Sequence, residues 1–88
     1  MRIWKYPLEA TDDQIVMMPR SAKLLTVQMQ GNKCCLWALC NTRMPLCPRH
    51  ITICGTGHPI HDDPGEYIAT FQMHNGLIFH VFDQPEGE

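Results

Sequence analysis

The 88-residue sequence predicts an all-β fold: a small antiparallel β-sandwich or partly open barrel of about seven short strands, built around two β-hairpins. Three observations carry that prediction. In "YIATFQMHNGLIFHVF", Asn75-Gly76 lies between alternating, strand-prone residues, the strongest short-range hairpin pattern. Gly31-Asn32 stands in the same relation to "KLLTVQMQ" and "KCCLWALC". Elsewhere short strand-like runs end at prolines, and too little amphipathic sequence exists to sustain a helix.

Along the chain, "RIWKYPL" and "QIVMMP" are short strand candidates ended by Pro7 and Pro19, which cannot continue a central ladder. Between them "ATDD" could cap one helical turn, but no amphipathic run extends it. The next two strands form the Gly31-Asn32 hairpin, pairing Gln30 with Lys33 and Val27 with Leu36. One face of this hairpin would carry Leu25, Val27, Met29, Cys34, Leu36, Ala38 and Cys40, and is almost wholly apolar. The other would hold Leu24, Thr26, Gln28, Cys35, Trp37 and Leu39; a strand apolar on both sides is covered twice or lies at an interface. "NTRMPLCPR" reads as loop because of its two prolines, and "HITIC" as another short strand. In the terminal hairpin, a two-residue type I′ turn would pair His74 with Leu77, Met73 with Ile78, Phe71 with His80 and Ala69 with Phe82. Its core face would then hold Tyr67, Ala69, Phe71, Met73, Ile78, His80 and Phe82, with His80 the one polar intruder. Residues 1–83 are expected to form a single β domain, and 84–88 ("QPEGE") a polar, frayed tail.

A chain of this length buries only about 60–65% of its unfolded surface, so burial at a subunit interface would add stability. Hydrophobic content of 44% with only 18% charged residues predicts a globular chain that forms a homo-oligomer or meets a partner. The seven Lys and Arg residues are scattered from Arg2 to Arg49 within a net charge of −2, which argues against direct nucleic-acid binding. No apolar run approaches the ~18–20 residues that span a bilayer. "MRIWKYPLEA" lacks the apolar stretch of a signal peptide, so the expected location is the cytoplasm. Five cysteines, an odd number with Cys34 and Cys35 adjacent, make a poor disulfide framework and read as buried thiols.

The chemically dense stretch is "ICGTGHPIHDDPGEY", residues 53–67. Cys47-x-x-His50 has ligand-like spacing for zinc, with Cys54, His58 and His61 close behind. Pro48 inside the would-be knuckle and the lack of a CxxC make Cys47, His50 and Cys54 weak metal candidates, and no cofactor is expected. "GTGHP" could offer backbone N–H groups to a phosphate, with Thr56 and His58 as side-chain donors, but no P-loop is present. The competing structural explanation is that Gly55 and Gly57 permit positive φ where the chain leaves a strand. His58, His61, Asp62 and Asp63 are the right types for acid–base work or a metal-assisted water. Asp63-Pro64-Gly65, however, suits a type II turn, and no nucleophile elbow accompanies it.

"IWKYPLE", "CLWALC", "GTGHPI" and "DDPGEYIATFQMHNGLIFHVF" resemble a family of small, functionally uncharacterised proteins of tailed bacteriophages and prophages, from Trp4 to Phe82. The family brings no activity to transfer. The resemblance implies a phage accessory protein in the host cytoplasm, a non-enzymatic binder that inhibits a host protein of anti-phage defence, for example of CRISPR type. Trp37, Leu39, Gly55, Thr56, Gly57, His58 and His61 are the expected contact residues for a protein or ligand, with no catalytic residue. Two alternatives stay open: a sponge holding a phosphate-containing signalling nucleotide through Gly55–His58, and a metal-dependent hydrolase using His58, His61 and Asp62.

Overall fold

The computed structural model describes residues 1–9 and 12–84. Among them are seven strands: β1 (Arg2–Pro7), β2 (Asp13–Pro19), β3 (Lys23–Gln30), β4 (Lys33–Cys40), β5 (Leu46–Gly55), β6 (Glu66–Gln72) and β7 (Ile78–Asp83). All pair antiparallel, in a three-stranded sheet ordered β1-β4-β3 and a four-stranded sheet ordered β2-β5-β7-β6. The molecule is an all-β sandwich, not a closed barrel. Its 16 Å shortest extent fits two sheets about 10 Å apart with little else stacked on them.

Alternation builds the core between the layers. Val27, Leu36 and Ala38 of one sheet meet Met18, Ile51, Ile53, Phe71 and Val81 of the other, all buried, and Leu8 seals the β1–β2 link. One ion pair is buried with them: Arg49 of β5 donates from Nε and Nη2 to the two oxygens of Asp83 on β7, at 2.9 and 3.0 Å. Gly65 packs so closely on this strand that a Cβ there would lie 2.5 Å from the Asp83 carbonyl oxygen, which demands glycine.

The Gly31-Asn32 hairpin has the expected register, with Gln30 opposite Lys33 and Val27 opposite Leu36. A bulge between Leu24 and Thr26 then exchanges two neighbours: Leu24 is buried and Leu25 is 40% exposed, the reverse of simple alternation. The terminal hairpin differs more. Its loop has three residues, not two: Gly76 N–H donates to the Met73 carbonyl (2.9 Å) and Met73 N–H to the Leu77 carbonyl (2.9 Å). A type I turn over His74-Asn75, followed by Gly76 at φ +88°, accounts for that geometry. One extra residue shifts the pairing by one and turns one strand over. Phe71 therefore faces Phe79, Ala69 faces Val81, and Thr70 faces His80. His80 lies on the outer face rather than in the core, as do Phe82 and, after a second bulge between Tyr67 and Ala69, Tyr67.

The stretch read as loop before "HITIC" is strand from Leu46 onward. Pro48 is tolerated because β7 pairs with β5 only from Ile51, so at Pro48 the strand has β2 alone beside it. Gln84, expected to open the frayed tail, donates its N–H to the His50 carbonyl and its side chain to the Pro64 carbonyl (2.6 Å). The remaining tail, residues 85–88, and part of the expected "ATDD" cap lie outside the described residues.

Candidate functional site

The loop that leaves β5 is held from three directions. Thr56 N–H donates to the Ile78 carbonyl (3.1 Å), and His58 N–H donates to the Gly55 carbonyl (3.1 Å) across a turn with Gly57 at φ +85°. Gly55 itself stays in strand geometry, so only one of the two glycines serves the reversal. Beneath the loop, the Cys54 thiol lies 3.4, 3.6 and 3.8 Å from the carbonyl oxygens of Gly55, His58 and Pro59, and can donate to one at a time. Residues 56–63 are all exposed. The result is an outward-facing loop on a fixed base.

Beside it opens a cleft of about 460 Å³, lined by Asp12 and Asp13, by Thr52 and Cys54, and by His58, Ile60 and His61 of the loop. The acidic wall comes from the first residue of β2 and the one before it, and β2 pairs with β5 so that Asp13 stands opposite Thr52. Asp13 Oδ1 accepts from the Thr52 hydroxyl (2.9 Å) and meets His50 Nε2 at 3.0 Å. The Thr52 hydrogen bond holds the Asp13 carboxyl below its ordinary 3.8, and His50 and His61 add to the effect.

A second polar chain continues across the same outer face. His80 Nε2 lies 2.7 Å from Thr56 Oγ1 and Nδ1 lies 3.0 Å from Thr70 Oγ1, while the Thr70 and Tyr67 hydroxyls are 2.8 Å apart. A neutral imidazole donates to one threonine and accepts from the other. The ring so joins the loop to β7 and β6. Tyr67 and Phe82 pack edge-on beside this chain at 5.9 Å.

Of the residues singled out in the sequence, Gly55, Thr56, Gly57, His58 and His61 come together here. Trp37 and Leu39 do not join them. They lie half-buried on β4 on the outward side of the other sheet, Trp37 between Lys5 and Thr26, and Leu39 between Ile3 and Lys23. The metal candidates are separated by strand geometry. Successive side chains of β5 alternate, so Cys47 shares the inner side with Arg49 and Ile51, while His50 and Cys54 face out. His50 and Cys54 are four residues apart on an extended strand, about 13 Å. Among the described residues no three His, Cys, Asp or Glu side chains gather as a metal would need. The local sequence gave no sign of Asp12, Asp13 and Thr52; they reach the loop only through the β2–β5 pairing.

Fold and cleft define a small two-sheet β-sandwich whose polar, loop-bearing end presents hydrogen-bonding groups to the outside. The chain belongs to the family described as a domain of unknown function (DUF7352), whose model matches residues 1–88. No curated protein and no solved structure matches it.

Proposed function

We propose that the domain is a non-enzymatic binding module of phage or prophage origin, which captures a host protein of anti-phage defence, CRISPR-type effectors included. The observation that carries this reading is the 56–61 loop: exposed along its length, yet fastened from below by Cys54 and His80 and so ordered before any partner arrives. Preorganisation of this kind reduces the entropy lost on binding. The motifs "GTGHPI" and the terminal hairpin, which resemble phage proteins, support the origin. In the cleft Asp13 is engaged by Thr52 and His50, while His58, Ile60 and His61 stay exposed, as suits recognition of a partner. Asp12 and Asp13 beside exposed Ile60 suit a partner surface with basic and apolar groups. Because Trp37 and Leu39 face away on the other sheet, we take the loop as the contact. The homodimer expected from composition remains part of the proposal, with exposed Ile15, Met17 and Leu46 on the outer face of β2 and β5 as the surface to be covered.

The test is capture of purified CRISPR-type effector complexes by the wild-type chain and by a His58→Ala, His61→Ala variant, with phage plating efficiency on a defended host as second readout. Binding and protection should both fall in the variant. If wild type neither binds nor protects, the reading fails; if the variant keeps both, the loop is not the contact. The nucleotide sponge keeps one favouring observation, the Gly57 turn with Thr56 beside it, but the two carboxylates of the same cleft oppose a phosphate. It predicts stabilisation of about 2.7 kcal/mol at a hundredfold excess over Kd. A flat thermal-shift response across cyclic and adenine nucleotides would remove it.

A further inference from the structure

A second cavity, of about 210 Å³, lies between the sheets at the same end of the sandwich, where the tips of the two hairpins meet. His74 Nε2 of one tip lies 2.9 Å from the Gly31 carbonyl oxygen of the other, which closes that side. The walls are Leu8, Met29, Cys34, Phe71, Met73 and Phe79. Phe71 and Phe79 stack at 5.7 Å with their planes 23° apart, presenting a flat aromatic wall. The two methionines are unbranched and polarisable, able to adjust to a ring laid against that wall. Burial pushes the Cys34 thiol up to about 11, so this wall stays uncharged at neutral pH. The volume exceeds the ~150 Å³ in which an apolar cavity takes up benzene, and falls well below the ~300–1,000 Å³ of drug-sized sites. One ring with a short substituent fits that scale.

The rim sets the sign of the charge. Glu9 and Lys33 face each other at 3.7 Å and largely cancel. Asp12 is the remaining charged group, and no described residue gives its carboxylate a hydrogen bond or ion pair. An apolar chamber with a carboxylate at its mouth that no described residue pairs selects an apolar body with a positive head.

We propose that this interlayer pocket binds a small aromatic amine, with its single ring between the Phe71–Phe79 wall and Met29 and Met73, and its ammonium group on the Asp12 carboxylate. The pocket shares Asp12 and Ile53 with the cleft of the loop but opens inward between the sheets, and the proposal does not rest on the protein-binding reading.

The probe is phenethylamine, followed through the methionine methyl resonances of the intact chain. Met29 and Met73 should shift saturably while Met1 and Met44 do not. The neutral analogue 2-phenylethanol should bind about ten-fold more weakly, the difference of one charge-assisted hydrogen bond. Butylamine, which lacks the ring, and 3-phenylpropionate, which has the wrong charge, should leave both methyls unmoved. Asp12→Asn, a surface change, should bring the amine down to the affinity of the alcohol and leave the alcohol unaffected. Met73→Trp should fill the chamber and abolish all binding. Absence of a saturable shift at Met29 and Met73, or equal affinity of amine and alcohol in the wild type, would overturn the proposal. So would an amine affinity indifferent to Asp12→Asn, a test that stands even where Met73→Trp does not fold.

Discussion

At Asp13, one carboxylate oxygen is shared between the Thr52 hydroxyl and His50 Nε2, and both partners favour its charged form. Its folded pKa is therefore depressed below the ordinary 3.8. A depressed carboxylate contributes stability that is present above the unfolded value and is lost as pH falls through the folded one. The cleft should consequently hold its geometry down to about pH 4 and loosen below it. A carbon-detected NMR titration should give Asp13 a midpoint below 3.8, and Thr52→Val should move it back up; an unmoved midpoint would mean that the hydroxyl does not matter. The buried pair Arg49–Asp83 behaves differently, because water does not stand in for a missing partner. Asp83→Asn removes the negative charge that faces the buried guanidinium and should cost about 3–5 kcal/mol in urea unfolding. A loss under 1 kcal/mol would show that the charge of Asp83 contributes little to the fold. Neither pair is visible in the sequence: Asp13 and Thr52 stand 39 residues apart and Arg49 and Asp83 stand 34 apart, with no local pattern linking them.

At the scale of elements, hairpins were legible because their signals are local, and faces were not wherever one residue was inserted. "GN" in the first hairpin specified both turn and register. "NG" in the second specified the turn but not its length: Gly76 alone takes positive φ, and Asn75 uses its side-chain oxygen to accept from Leu77 N–H (3.1 Å). That extra residue moved His80 from an expected core position to the outer chain of Thr56, Thr70 and Tyr67, the base of the candidate site. Bulges at Leu25 and Ile68 inverted faces in the same way. Gly76→Ala should cost more than about 1 kcal/mol, since alanine resists the left-handed conformation that sets this register. Denaturation monitored together with the His80 ring resonances would check it; unchanged stability would remove the three-residue turn from the account of the site. The 56–61 loop was legible as a dense cluster of functional side chains, whereas its acidic wall depends on which strand lies beside β5.

For the whole molecule, alternating apolar strands and scarce helical patterning were enough to predict the two-layered β architecture, because they follow from average composition and period. Its response to alkali should be equally global. Burial, reinforced by the Cys40 sulfur, pushes the Tyr6 hydroxyl up to about 12, and burial pushes Cys34 up to about 11. Groups with raised pKa stabilise fully below their unfolded values and lose that contribution as pH rises through the folded ones. Stability should therefore decline from about pH 9 toward 12, with Tyr6→Phe removing the upper part of the decline in a pH series of thermal melts. A decline of unchanged shape in Tyr6→Phe would assign the effect elsewhere. The strand order has one more consequence, in time instead of space. Neighbouring β1 and β2 go to different sheets, and each pairs with a strand made some thirty residues later: Trp4 with Ala38, and Val16 with Arg49. As the chain emerges from a ribosome, its first two strands wait unpaired while the β3–β4 hairpin closes in microseconds. The nascent chain is then most exposed to sticking and proteolysis in β1 and β2, the strands that finally join each sheet at its edge.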